Sequence, residues 1–290
     1  MDSTRSLARR AGLLYVLANS LAPFIYLHVP GKLLVGGDAL AIADRVRAAE
    51  GLLRAAILAE LYGATLLLFA SLAFYRLFKE VHQQTAILTA AMMLVSVPIS
   101  YVNALSNIAP LILLKNPALA AVLDPGQVAA HVTFFLRLHN YGVIINQIFW
   151  GLWLFPVGAL VLRSAFLPRW LAYPLFAAGT GYVLNSIGAL LPASMRGITP
   201  YGLILGVGEM PFMFYLLIWG ARGYAVDRLA AFLFLVSFAI AAPALVLLMR
   251  DRIDAVQYGA LSLASLAALI GMVMRWRWSE SATRTAGAGA

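Results

Sequence analysis

The sequence predicts an all-α fold: a polytopic transmembrane helix bundle of about eight spans, with the N-terminus and the C-terminus in the cytoplasm. Three observations lead there. Of 290 residues, 62% are hydrophobic and 11% charged, with a mean hydropathy of +0.86; an ordinary soluble domain is about 45–50% apolar and about 25% charged. Apolar runs of about 20 residues, enough to cross a hydrocarbon core of about 30 Å as a helix, recur along the chain. Basic residues fall in short clusters between these runs, as in proteins that set their membrane orientation by charge. A soluble globular protein, a disordered chain and a fibrous repeat are excluded. Nucleic-acid binding is disfavoured despite a formal net charge of +9. The absence of cysteine excludes disulfides, thiolate metal sites and thiol catalysis.

The runs lie at 11–29, 52–75, 85–114, 140–162, 168–191, 200–220, 229–249 and 255–274. The first follows Arg5, Arg9 and Arg10 in the manner of a signal peptide. Its apolar stretch is too long, however, and no small-x-small cleavage site closes it, so it reads as a retained helix. The third exceeds one span, and Pro98 and Pro110 suggest that it tilts, kinks or ends near residue 110. With the N-terminus inside, 12 Lys and Arg fall on the cytoplasmic side and 9 on the other. The six tryptophans fall mostly toward predicted cytoplasmic helix ends, as in an interfacial aromatic belt.

Two connecting segments are more than linkers. Residues 38–50 start with an N-cap, Asp38, and alternate Ala, Ile and Val with charges, the pattern of an amphipathic helix on the outer surface. Residues 124–138 start with Asp124-Pro125, an N-cap followed by proline at the first helical position. They form a second surface helix or extend the fourth span. Residues 279–290 read as a small, polar, disordered tail. The two halves show no internal repeat, which weakens a transporter built on inverted repeats.

Polar residues inside apolar runs carry most of the functional information, since each costs free energy in lipid unless it faces protein or water. Ser96, Ser100, Asn103 and Asn107 make one helical stripe on the third run. His139, Asn140, Asn146, Gln147 and Trp150 lie close to one face of the fourth, and Gly181, Asn185 and Gly188 on one face of the fifth. The second run holds Glu60, with Arg54 near its outer end; the sixth holds Glu209; the first holds Asn19, Ser20 and Tyr26. With the predicted topology these groups gather in the outer half of the membrane. The expectation is one polar cavity lined by Arg54, Glu60, Asn103, Asn107, His139, Asn140, Gln147, Asn185 and Glu209. The plainer reading stands beside it: Asn and Ser often only join helices, at roughly 0.6 kcal/mol per bond, and Arg54 at an interface simply snorkels.

No HExxH pair, GxSxG elbow, Walker loop or dinucleotide-binding glycine pattern is present. Metal ligation would require His28, His131, His139, Glu60 and Glu209 to converge, and no local spacing supports it. No catalytic residue and no metal ligand is assigned, and the cofactor stays unknown.

Several stretches carry a family resemblance: "ARRAGLLYVLANSLAPF" (8–24), "VGGDALAIADRVRAAEGLLRAAILAEL" (35–61), "LFKEV" (77–81), "VPISYVNALSNIAPLILL" (97–114), "GTGYVLNSIGALLP" (179–192) and "GVGEMPFMFYLLIWG" (206–220). The most specific is "LRLHNYGVIINQIFWGLWLFPVGALVLRSAFLPRWLAYPL" (136–175). Over residues 5–222 the chain resembles a bacterial membrane family known as domain of unknown function 4386. The resemblance implies a polytopic membrane protein with no established activity, cofactor or substrate; the expected location is the bacterial inner (cytoplasmic) membrane, crossed several times. It also implies that Arg54, Glu60, His139, Gly142 and Glu209 occupy motif positions.

The chain then divides into a six-span domain (1–222), an appended two-helix transmembrane hairpin (223–278) and the tail (279–290). Besides the lipid bilayer, the expected partner is a membrane subunit docking on 229–249 and 255–274. Three functions remain open. One is a non-enzymatic protein binding a small polar or amphiphilic ligand, or a partner subunit, through the outer cavity. Another is a proton-coupled transporter using Glu60 and Glu209. The third is an intramembrane enzyme with His139 and a carboxylate.

Overall fold

The structure, a computed structural model, describes residues 2–120, 122–192 and 205–221. All regular elements among them are helical. The expected spans at 229–249 and 255–274, the tail, and the start of the sixth run lie outside the described residues. Four helical stretches are long and apolar enough to cross a membrane: Thr4–Leu33, Glu50–Phe78, Gln83–Lys115 and Pro125–Arg163. A shorter apolar helix covers Val207–Ile218.

The first stretch is not one regular helix. Helix α1 (Asp2–Asn19) gives way, after Pro23, to a π-helical turn (Phe24–His28) and then α2 (Val29–Leu33), with Pro30 in its first turn. A π turn widens the helix by one residue and is found disproportionately at functional sites. The amphipathic segment is α3 (Ala39–Ala48), and Asp38 caps it by accepting a hydrogen bond from the Ala41 N–H. Its apolar residues Ile42, Ala43 and Val46 are buried against the protein, with α7 as the main neighbour. The surface helix predicted to lie on the membrane therefore spends its apolar face on protein instead.

Helix α4 (Glu50–Phe78) and α5 (Gln83–Lys115) form an antiparallel hairpin. Pro98 and Pro110 do not end α5, contrary to one of the sequence expectations; neighbours packed along the helix hold it together where each proline removes a backbone bond. A short turn, α6 (Pro117–Ala120), leads to α7 (Pro125–Leu152). The Asp124 carboxylate accepts from the Gln127 N–H while the Gln127 side chain accepts from the Asp124 N–H, a complete capping box. Residues 124–138 thus extend the fourth span. That span breaks at Trp153 and continues as α8 (Leu154–Arg163). A 3-10 turn (Arg169–Leu171) starts α9 (Ala172–Leu190), and a second (Val207–Glu209) starts α10 (Met210–Ile218).

Neighbour follows neighbour in the order α10, α1, α4, α5, α7, α9, and the 207–209 turn packs back on α9. Two apolar cores fill this bundle. The larger one joins Tyr15, Phe74, Phe78, Met93, Trp153, Leu160 and Phe212 near the start of α1 and the end of α4. The smaller joins Leu33, Val46, Leu53, Leu111, Val132 and others near the start of α4 and the end of α5. Trp153 is 2% exposed inside the larger core, so it is no part of an interfacial belt. Between the cores lies a band of buried polar groups: Glu60, Ser96, Ser100, Asn103, Asn107, His139 and Asn146.

Large apolar side chains also cover the outside, among them Leu58, Val102, Leu105 and Phe134, each more than half exposed. Water would penalise such a surface; hydrocarbon does not. The apolar helices suit contact with a lipid bilayer.

Candidate functional site

The polar band is built on α7. Its His139 Nε2 lies 2.8 Å from Glu60 Oε2 on α4, and the two residues are 4% and 3% exposed. One helix face places both: Glu60 is one turn from the buried Ala56 and Ile57, and His139 one turn from the buried Leu136 and Val143. A buried carboxylate needs such a partner, since an uncompensated charge in an apolar interior is prohibitive.

Asn103 of α5 supports the pair from behind by donating from Nδ2 to the His139 carbonyl at 3.0 Å. This contact exists because residue 142 is glycine: a Cβ there would overlap the Asn103 carboxamide. One α5 turn further, Asn107 is 6% exposed and makes no hydrogen bond among the described residues.

Asn107, His139 and Asn140 border a small, partly open cleft whose other walls are apolar: Ile25, Val29, Pro30, Leu33, Leu34, Leu53, Ala56 and Leu136. Its volume is about 20 Å³, room for about one water molecule. The π turn and α2 supply one wall. Tyr26, on the same turn, packs its ring 5.6 Å from Trp150.

Further along α7 the polar contacts join α7 to α5 and α9. Asn146 Nδ2 donates to Ser100 Oγ at 2.9 Å and to the Ser96 carbonyl at 3.2 Å. Asn185 Nδ2 of α9 donates to Gln147 Oε1 at 2.6 Å, and Ser186 Oγ to the Ile144 carbonyl at 2.7 Å.

Glu209 sits in a third layer. Its carboxylate accepts from the hydroxyls of Tyr15 on α1 and of Tyr182 on α9, the latter at 2.5 Å. Tyr182 meets Trp150, 11 residues beyond His139 on α7. At 1.5 Å per residue this puts the Glu209 layer roughly 16 Å from the His139 layer.

The structure therefore brings together Glu60, Asn103, Asn107, His139 and Asn140, and pairs Gln147 with Asn185 one layer away. Glu209 is not part of that group, and neither is Arg54. The Arg54 side chain is exposed and bonds Glu50 at 2.6 Å, with Lys115 on the same carboxylate at 2.8 Å. Among the described residues the groups expected in a single cavity lie in layers, with Glu209 at the end of a 3-10 turn just before a nine-residue helix. Among the described residues no three His, Asp or Glu side chains converge as metal ligands.

Sequence reasoning missed Tyr15 and Tyr182 as partners of Glu209, and the π turn. The spacing of Pro23 and Pro30 around Tyr26 was the available signal for the turn.

A family model described as Domain of unknown function (DUF4386) matches residues 10–220. The chain belongs to this family. The DUF4386 region contains every residue of the three layers. An uncharacterized protein of Archaeoglobus fulgidus is 32% identical over 99 residues, which is 32% of this chain and 59% of that protein. The chain thus spans about three fifths of this curated relative. No solved structure matches. For this DUF4386 member the residues themselves must carry the functional argument.

Proposed function

We propose that this protein is a multi-pass integral membrane protein that binds a small amphiphilic ligand in the cleft beside Glu60 and His139. The observation that carries the reading is a hydrogen-bonded Glu60–His139 pair at the polar end of a cleft otherwise walled by aliphatic side chains. Such a cleft matches a molecule with an apolar body and one polar end, and a binding site is characteristically apolar with a few placed polar groups. Asn103 and Gln147–Asn185 position the helices around it; Asn107, Asn140 and His139 face the ligand.

The wider setting belongs to the same proposal. Eight spans follow from the apolar runs, both termini in the cytoplasm from the basic-residue bias, and a bacterial inner-membrane location completes the proposal. The cleft then lies in the outer half. The region after 222 adds a hairpin with few ionisable residues, suited to a partner subunit.

The test is native mass spectrometry of the full chain purified from its own membrane. Wild-type protein is expected to carry a bound small molecule that is lost in a Glu60→Met/His139→Leu double variant. That variant removes both polar partners together and so leaves no charge stranded. Equal ligand content in the two proteins overturns the reading.

One observation favours a second reading, an intramembrane enzyme: a carboxylate 2.8 Å from an imidazole is the arrangement that orients a general base. Turnover of the ligand that copurifies, abolished by His139→Gln with the ligand still bound, distinguishes catalysis from binding alone.

A further inference from the structure

The ligand class follows from hydrogen-bonding capacity, volume and charge at the cleft, and it rests on the binding reading above. Two buried polar groups there are unspent. The Asn107 carboxamide has no hydrogen-bond partner among the described residues, and His139 uses Nε2 on Glu60 and leaves Nδ1 unpartnered among them. Both residues keep a small accessible surface, 6% and 4%, where they border the cleft. A ligand group that hydrogen-bonds both therefore gains over one that covers them without bonding.

We infer that the occupant is an uncharged, hydroxyl-bearing apolar molecule, its hydroxyl exchanging hydrogen bonds with Asn107 and with His139 Nδ1. Three arguments select a hydroxyl. First, the volume of about 20 Å³ admits one water-sized group, which fits a hydroxyl and not a phosphate or a sugar. Second, Nδ1 is an acceptor if the imidazole proton sits on Nε2 and a donor if Glu60 holds the proton. A hydroxyl donates and accepts, and so does a carboxamide, so the match holds for either proton position.

Third, Glu60 and His139 are already paired with each other, so the cleft holds no unmatched charge for a charged head group. A carboxylate head would meet the Glu60 carboxylate, and an ammonium head, which only donates, could not accept from the Asn107 amide. Arg54 is exposed and committed to Glu50, and Arg45, which reaches the cleft-lining Leu33, is committed to the Leu33 and Gly36 carbonyls. The hydroxyl alone fills that volume; the cleft is partly open, and the carbon chain runs outward along the aliphatic residues that border it, including Ile25, Val29, Leu33 and Leu136.

The experiment is photo-crosslinking of the full chain in phosphatidylcholine nanodiscs with a diazirine-bearing long-chain primary alcohol, the attachment site mapped by mass spectrometry. Unlabelled dodecanol, dodecane, dodecanoate and dodecyltrimethylammonium serve as competitors. Label is expected on residues 25–34 and 136–140, with dodecanol competing at concentrations at least about tenfold below the other three. Asn107→Leu is expected to lower labelling about tenfold, and the competition series alone decides the matter if that variant does not fold.

Label in the cleft that dodecanoate or the ammonium displaces as well as dodecanol overturns the ligand class and leaves the binding reading standing. Label in the cleft that dodecane displaces equally well also overturns the class, because the polar groups then contribute nothing. Label spread over the lipid-facing surface, unmoved by any competitor, overturns both.

Discussion

His139→Leu should be among the most damaging single substitutions in the described part of the protein. It leaves the Glu60 carboxylate 3% exposed and deprived of its 2.8 Å partner. Stranding one member of a buried ion pair costs about 3–5 kcal/mol. Losing an ordinary interhelical hydrogen bond in a membrane protein costs roughly 0.6 kcal/mol. The two regimes differ by roughly a hundredfold or more in the unfolding equilibrium, at about 1.4 kcal/mol per factor of ten. Adding Glu60→Met to His139→Leu removes the stranded charge, so the double variant should recover most of the loss. The coupling between the sites should reach about 2 kcal/mol or more. Reversible unfolding in mixed micelles, followed by tryptophan fluorescence, reads all four corners of this cycle. A single-variant loss under about 1 kcal/mol with additive effects would refute the reasoning and reduce the pair to a weak contact.

Three further outcomes follow from the geometry. Gly142→Ala should cost about 1–3 kcal/mol in the same unfolding assay, because the new methyl displaces the Asn103 carboxamide from the His139 carbonyl; Asn103→Ala in the same chain should relieve part of that loss. Asp124→Ala should cost about 1 kcal/mol by removing the capping box of α7, and an unchanged midpoint would deny the cap any role. Because the chain has no cysteine, single cysteines replacing Asp44 and Lys79 report sidedness directly. A membrane-impermeant maleimide added to intact cells should label the first and spare the second, and the reverse pattern would invert the proposed topology.

Run length made α4 and α5 legible, since a helix must be long and apolar to cross hydrocarbon whatever its neighbours do. Asp38 and Asp124 were legible as helix starts because capping is local chemistry. Glu60 and His139 stood out because an ionisable group within an apolar run has few tolerable environments.

The separation of Glu209 from the Glu60–His139 pair was not legible for the opposite reason. It depends on how the 207–209 turn seats on α9, which is not encoded within a few residues. Tyr15 and Tyr182 were hidden because a tyrosine on an apolar face reads as core until its hydroxyl finds a partner. The face of α3 was read from its pattern correctly, but a pattern says only that something apolar covers it, and here the cover is α7.

The contact between α1 and α10 has a consequence for biogenesis. Arg9 Nη2 donates to the Ile218 carbonyl at 2.8 Å, across 209 residues of sequence, and Gly220, at φ +67°, turns the chain against Arg5 and Arg9. Gly12 presents a flat seat on which the backbone of Leu216 and Leu217 rests. A ribosome adding about 5–20 residues per second needs roughly 10–40 s between the two partners. During that interval the first helix is in the bilayer with its seat vacant. Assembly of this bundle therefore finishes at the end of the segment, when its opening and closing helices are finally buckled together.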